Sequence, residues 1–393
     1  MKHKLLVIWS QYRRNNKGFF ELLKANQKID LKIAWIREFR EDDLPPASFL
    51  CGLHYDIVGA KHVRVGDYRL SQFIKLIKIL FNNIRNSDFV LTSTQAPVHS
   101  KPAFILCKLL KKKLFVNVQQ WYERKSIPLL NRLYAEAGYF ILRHCDKVFV
   151  HGTNQRLFVI SKGVKESKIS ILPFLSDDLS ELTVTKLDLK RQLGLQDKKI
   201  ILYFGRITPQ KGLQDLIAAF KNIKSQINNA VLLVCGGSDR HFHDFNEAAI
   251  YEKECRKKAA EFSRSDILFT GPILPRDKQN YFAIADIFIH PHTNLEETRD
   301  GWGLSINEAA SMSLPIIATD RVGSVADLVR DGFNGYIVKS GDVKELSCKT
   351  VEVLRDEKRL KAFSENSRLV FEDYHNLDRL NSAILDAIHD SKS

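Results

Sequence analysis

Two Rossmann-like α/β units in tandem are expected from this chain on three grounds. Short apolar runs alternate with stretches of helical periodicity from end to end, as parallel strands joined by right-handed helical crossovers require. The length of 393 residues suits two domains of ordinary size. Charge is also divided between two parts. Residues 1–170 carry 30 Lys and Arg against 13 Asp and Glu, a balance of +17, while residues 171–393 carry 30 against 33, a balance of −3. The whole excess of +14 therefore lies in the front part. A hydrophobic fraction of 44 % with 24 Phe supplies a core and excludes disorder, collagen and coiled coil. Basic excess invites nucleic acid, an anionic membrane surface or a phosphorylated ligand as partner.

In the front part, Leu5–Trp9, Leu31–Trp35, Phe89–Thr92, Leu114–Val118 and Lys147–Val150 are apolar runs of strand length. Residues 72–85 place Phe73, Leu76, Ile77, Leu80 and Ile84 at helical spacing. Pro173–Val184 is rich in Pro, Asp and Ser and lacks a period, so it reads as linker. Strands follow at Ile200–Phe204, Val231–Cys235, Ile267–Thr270, Ile287–His290, Pro315–Ala318 and Gly335–Val338. Helices fit at 211–225, 247–262, 276–284, 303–312, 323–330 and 342–356. Residues 357–390 read as one or two amphipathic helices, with Phe363, Leu369, Phe371, Leu377, Leu380 and Ile384 spaced along an apolar face. The expected division is a first domain at 1–172, a linker at 173–198, a second domain at 199–356 and C-terminal helices at 357–393.

Six cysteines are scattered, with no C-x-x-C pair and no histidine cluster at zinc spacing, which reads as buried small hydrophobes in a reducing compartment. The apolar run Leu5–Trp9 is too short for a signal-peptide core. No window approaches the apolar length of a membrane span. A cytoplasmic protein is expected, with peripheral membrane contact open. Lys101, Lys108 and Lys111 to Lys113 lie beside Phe104, Ile105, Leu106 and Leu109, as on an amphipathic helix with a solvated face or a membrane-facing one. His99, His144 and His151 stand alone and read as structural.

Ligands of tandem Rossmann-like units bind at the carboxyl ends of the strands, so the strand-to-helix loops carry the chemistry. The loop from Tyr203 to Gly212 contains Gly205 for a tight turn, Arg206 as a fork of donors and Lys211 as a point charge just before a helix. That set suits a diphosphate, or else two solvent-facing cations. In Asp300-Gly301-Trp302-Gly303-Leu304-Ser305-Ile306-Asn307-Glu308, two glycines lead into a helix whose first N–H groups can meet phosphate. Asp300 and Glu308 lie eight positions apart, and two carboxylates can bracket the hydroxyls of a sugar nucleotide.

The segments FGRITPQKGLQDLIAAF, FTGPILPRDKQNYFAIADIFIHP and DGWGLSINEAASMSLPIIATDRVGSVADLVRDGFNGYIV, in that order and spacing, resemble the C-terminal domain of retaining GT-B glycosyltransferases of family 4. The resemblance covers about 200–340, and it covers 1–175 only as a general Rossmann pattern. It implies a GT-B fold, two Rossmann-like domains facing across a cleft, with the C-terminal helices at 357–393 crossing back to the first domain. It also implies transfer of a sugar from a nucleotide-diphosphate sugar, a UDP-sugar by preference, to a hydroxyl of a glycan or lipid-linked acceptor. By the same resemblance Arg206 and Lys211 hold the diphosphate, Glu308 takes the ribose hydroxyls and Asp300 those of the transferred sugar. Gly205, Gly301, Trp302, Gly303, Leu304 and Ser305 line the donor, and Pro272 and Ile273 flank the base. Asp300 replaces the usual Glu, with Glu296 and Glu297 nearby, and Gln119 stands where many members have His. Arg13, Arg14, Gly18, Gln119 and Gln120 are the acceptor-side candidates. With no Asp-x-Asp at a strand end, no metal and no further cofactor are expected. A non-catalytic nucleotide-sugar or nucleic-acid binder, and a sugar-nucleotide epimerase on the same fold, are the alternatives.

Overall fold

Seven segments of the front part line up in one parallel sheet. They are β1 (His3–Trp9), β2 (Ile29–Trp35), β3 (His54–Ile57), β4 (Phe89–Ser93), β5 (Lys113–Val118), β6 (Lys147–Val150) and β7 (Ile169–Ile171). Their order across the sheet is β3-β2-β1-β4-β5-β6-β7. The structure is a computed structural model and describes residues 2–9, 17–36, 50–51, 53–57, 70–93, 97–122, 129–180, 185–238, 245–293 and 299–391. Central strands covered on both faces are continuous apolar runs, and β1 is buried from Leu5 to Trp9. The two edge strands, β3 and β7, were not expected from the sequence. β3 (HYDI) is largely exposed and β7 has three residues, so neither carries the apolar run that a doubly covered strand displays.

The chain divides into two compact units, residues 1–176 with 375–393, and residues 177–374. The final helix, Leu377–Asp390, belongs to the first unit. Leu380, Ile384, Ala387 and Ile388 enter the cluster formed by Leu5, Val7, Leu31, Phe89 and Phe115. Asn26 donates to Asn381 at 3.1 Å, and Lys147 pairs with Asp390 at 2.9 Å. Asn376 caps the helix by accepting from the Arg379 N–H at 2.9 Å.

His151 follows β6 and is buried. Its Nδ1 donates to the Leu172 carbonyl at 3.0 Å, and Phe174 meets the ring edge-on. Burial pushes its pKa down to about 4, whereas a histidine in the unfolded chain titrates near 6.5. The unfolded chain therefore binds a proton that the fold refuses. Stability is full above pH 6.5 and falls as pH drops toward 4, by about 3 kcal/mol in all. In His151→Gln the loss of unfolding free energy over this window should shrink by that order, measured by urea denaturation across a pH series. An unchanged slope would refute the assignment.

The second unit holds β8 (Lys199–Phe204), β9 (Ala230–Cys235), β10 (Ile267–Gly271), β11 (Ile287–His290), β12 (Ile316–Thr319) and β13 (Gly335–Val338). All are parallel, in the order β10-β9-β8-β11-β12-β13. Its limits differ from those read in the sequence. Within the segment taken as linker, Lys186–Gln192 is a helix of this unit. Asp286 fixes it, accepting from Lys186 and Lys190 at 2.9 Å each and from the Ile200 N–H at 2.8 Å. Helix Glu357–Tyr374 also stays here, with Phe363 in the core and Leu369 exposed. Arg368 grips Asp178 with two hydrogen bonds of 2.9 and 2.8 Å, which ties the entering chain to that helix.

All six cysteines are free thiols. Burial pushes Cys107, Cys145, Cys235 and Cys255 up to about 12, far from a reactive thiolate. Among the described residues no helix is long and apolar enough to cross a membrane.

Candidate active site

The strand order of the second unit reverses between β8 and β11. At such a switch point the following loops diverge and leave a crevice at the carboxyl ends. Two of the sequence-identified loops rise beside it. After β8, Gly205 N–H donates to the Cys235 carbonyl and Ile207 N–H to that of Gly237, both at 3.0 Å. The Tyr203 hydroxyl donates to the Arg206 carbonyl at 2.7 Å. The backbone is thus tied on both sides of Arg206, whose side chain is exposed. Gly212, at φ +67°, opens helix Leu213–Gln226. A Cβ there would lie 1.8 Å from the Pro291 carbonyl oxygen, so only glycine lets this loop press against the one after β11. Thr293 N–H donates across the same junction to Gln210 O at 2.9 Å.

Asp300 is strapped down by its own backbone. Its N–H donates to Arg321 O at 2.9 Å, and its carbonyl accepts from Gly323 at 3.1 Å. Gly303, at φ +82°, caps helix Leu304–Ser311, and a Cβ there would lie 2.4 Å from Val322 Cγ1. The helix start is therefore packed tightly on the strap. The Trp302 side chain goes to the interior, stacked on Tyr374 and donating to Asn307 Oδ1 at 2.8 Å. Gly301, Leu304 and Ser305 are partly buried around the helix start.

These supports bring Lys211, Asp300 and His290 together. Lys211 Nζ forms an ion pair with Asp300 Oδ2. His290 Nε2 lies 3.1 Å from the same oxygen, and its Nδ1 lies 3.2 Å from Ser305 Oγ. A carboxylate only accepts, so His290 donates through Nε2 and receives the Ser305 hydroxyl proton at Nδ1. Burial favours the neutral ring and lowers the His290 pKa, outweighing the opposing hydrogen bond to Asp300. For Asp300, burial acts upward, but Lys211 and His290 outweigh it and hold the carboxyl well below the usual range. Glu308, inside the helix, is buried and pairs with Lys278 at 2.6 Å. Here burial wins over the lysine and raises the carboxyl above the usual range. Two carboxylates, each matched by a lysine, thus stand at one helix. They offer acceptors for sugar hydroxyls and cations for phosphate.

Among the described residues His290, His292 and Asp300 form a group that could hold a metal ion, their donor atoms lying within 4.8 Å of one another. Asp300 Oδ2 is already paired to Lys211. In the loop after β10, Pro272 is exposed and Ile273 partly buried. The Gly237 backbone packs under Pro272, where an added Cβ would come within 3.2 Å of its Cγ.

The acceptor-side candidates belong to the first unit. Gly18 is exposed in the first turn of helix Lys17–Ala25, Gln119 is partly buried just beyond β5, and Gln120 donates to the Tyr122 carbonyl at 2.6 Å. Arg13, Arg14, Glu296 and Glu297 lie outside the described residues. Two residues of the site were not singled out from the sequence. His290 ends an apolar strand at its carboxyl edge, a position that could have marked it. Lys278 carries no local signal, since its partner lies 30 positions onward.

Comparison with known proteins places these features in a family context. Residues 185–370 match the family model described as "Glycosyl transferases group 1". Over 235 residues the chain is 28 % identical to the capsular polysaccharide biosynthesis glycosyltransferase CapM of Staphylococcus aureus, covering 57 % of this chain and 56 % of the relative. Over 189 residues it is 28 % identical to the lipopolysaccharide 1,2-N-acetylglucosaminetransferase of Salmonella typhimurium, covering 48 % of each. The chain thus matches about half the length of these curated relatives. Among solved structures, Anabaena HepE in complex with UDP superposes with a TM-score of 0.78 at 15 % identity, over 99 % of this chain and 100 % of that one. A sucrose-phosphate synthase from Thermosynechococcus elongatus superposes at 0.74 with 17 % identity, covering 100 % of both chains. The fold is GT-B.

Proposed function

We propose, from a GT-B chain that carries a group 1 glycosyl transferase domain at 185–370, that this protein is a retaining, metal-independent glycosyltransferase of the hexosyl type. It moves a sugar from a nucleotide-diphosphate sugar to a hydroxyl of a glycan or lipid-linked acceptor. The observation that carries this reading is the Lys211–Asp300–His290 cluster beside the start of helix Leu304–Ser311. Negative charge grows on the donor diphosphate as the glycosidic bond breaks. Arg206, Lys211 and the N–H groups near Gly303 supply fixed positive ends to it. Asp300, ionised throughout the physiological range, accepts from hydroxyls of the transferred sugar. Glu308 accepts from the ribose, and Pro272 and Ile273 flank the base. A lysine already held by Asp300 has little orientational freedom left to lose when the diphosphate arrives.

A UDP-sugar is the preferred donor, in keeping with the UDP and UDP-glucose complexes of HepE. Cell-surface polysaccharide or glycolipid assembly is the proposed setting, in keeping with the names of the curated relatives. The acceptor meets the first unit through Arg13, Arg14, Gly18, Gln119 and Gln120. A cytoplasmic protein peripheral to the membrane accords with helices Pro97–Leu109 and Leu129–His144. They expose Ile105, Leu109, Leu133 and Phe140 close to Lys101 and Lys108, an apolar and basic combination suited to anionic lipid. Retention is tested by proton NMR of the product from an α-linked donor. An α-linked product formed equally well in EDTA is expected, and a β-linked or chelator-sensitive product would overturn this mechanism.

A further inference from the structure

Strand β11 ends on His290, and Pro291 and His292 follow it. Both imidazoles are buried, and their rings are nearly parallel, 14° apart in plane with centroids separated by 6.4 Å. The backbone that carries His292 is pinned, its carbonyl accepting from Thr319 Oγ1 at 2.7 Å and from Ser340 Oγ at 3.0 Å. Asp300 faces the pair from its own backbone strap. A ring nitrogen of each histidine and a carboxylate oxygen of Asp300 therefore fall within 4.8 Å of one another. Around a tetrahedral zinc ion with bonds of about 2.0–2.1 Å, neighbouring donors stand about 3.3 Å apart. His290 Nε2 and Asp300 Oδ2, at 3.1 Å, already have that spacing. Two imidazoles with one carboxylate form the donor set of zinc sites that keep a fourth position open. They suit zinc or cobalt rather than magnesium or calcium, which prefer oxygen alone.

We propose that His290, His292 and Asp300 form an inhibitory site for a zinc-type divalent ion, which binds by displacing Lys211 from Asp300. The two cations exclude each other, because Lys211 is paired to Asp300 Oδ2 and a doubly charged ion beside its ammonium would be repelled. Lys211 sits on a flexible four-carbon stem and can swing away. His290 adapts without changing its charge. Its proton passes from Nε2 to Nδ1, the Nε2 lone pair goes to the metal, and Ser305 Oγ, now 3.2 Å from Nδ1 as a donor, turns to accept. With the ion in place an oxygen of Asp300 is taken and Lys211 has lost its anchor, the two groups that the proposed donor complex needs. Transfer itself uses no ion here, so zinc only opposes it. The metal site stands on its own geometry, and its inhibitory effect rests on the donor reading.

The test titrates cobalt into the full, tag-free, metal-free chain and follows the visible bands of the four-coordinate ion, with zinc as competitor and magnesium as control. The wild type should take up one cobalt per chain, released by zinc and indifferent to magnesium. Affinity should be at least about tenfold weaker in His292→Leu and His292→Asn, the second serving if the first fails to fold. It should be at least about tenfold tighter in Lys211→Met, where the competing ammonium is gone, a gain that a merely structural histidine pair would not show. Calorimetry of UDP is then run with and without one equivalent of zinc. Zinc should weaken UDP binding to the wild type at least about tenfold, and His292→Leu reports what free zinc does to UDP by itself. UDP binding without cobalt uptake would overturn the metal site and spare the donor reading. Cobalt uptake equal in wild type and both His292 variants, or a thiolate charge-transfer band, would place the ion elsewhere and overturn the site. UDP affinity unmoved by zinc in a chain that binds it would overturn the inhibitory role. Cobalt uptake in a chain that binds no UDP would sustain the metal site and remove the donor reading.

Discussion

Lys211→Met is expected to lower kcat/KM for sugar transfer by about 10³-fold, with Arg206→Ala lower by about 10²-fold. Removing one preorganised donor from a developing negative charge ordinarily reduces rate by about 10²- to 10³-fold. Lys211 stands at the upper end because it acts twice. It faces the diphosphate in the proposed complex, and in the resting structure it holds Asp300 ionised. Without it, burial of the Asp300 carboxyl loses its strongest opponent, and the carboxyl pKa rises. Arg206 is exposed and stands at the lower end. Arg206→Ala should melt near the wild type, its side chain being exposed, whereas Lys211→Met leaves the buried Asp300 carboxyl without its lysine and should melt lower. Turnover near the wild-type rate in a folded Lys211→Met protein would remove the assignment.

Glu308→Gln is expected to weaken nucleotide binding by about 10- to 100-fold, the span of a hydrogen bond to a charged group. Glu308 is buried in helix Leu304–Ser311 and neutralises Lys278 at 2.6 Å. The amide keeps the size but loses the charge, so the ribose meets a weaker acceptor and Lys278 loses its counterion. A purely structural Glu308 would show itself differently, with a lower melting temperature and an unaltered nucleotide affinity in the protein that remains folded. Calorimetry and a melt on the same sample separate the two. If affinity is unchanged, the ribose role falls.

The part of this site that was legible in the sequence is the part written in short segments. The turn from Gly205 to Gly212 and the Asp300-to-Glu308 stretch each place glycines, charges and a helix start within one loop, where spacing carries meaning. His290 and Lys278 complete the charge balance through partners brought together only by the fold. The same division holds for the architecture. Doubly covered strands such as β1 and β9 announce themselves as apolar runs, whereas β3 and β7 at the sheet edge do not. Helix Lys186–Gln192 is short and highly charged, and its anchor Asp286 lies about a hundred positions away. Helices Glu357–Tyr374 and Leu377–Asp390 are both amphipathic, so periodicity alone gave no reason to divide them between two units.

The central claim is that the crevice beside β8 and β11 binds a nucleoside diphosphate through Lys211 and Glu308. Titration calorimetry of UDP, GDP and ADP into the full chain, with Lys211→Met and Glu308→Gln alongside, tests it most directly. One diphosphate per chain should bind the wild type, UDP by preference, and at least tenfold more weakly in both variants. No heat from any of the three at about 1 mM, the upper end of ordinary substrate affinities, or equal affinity in all three proteins, would contradict it.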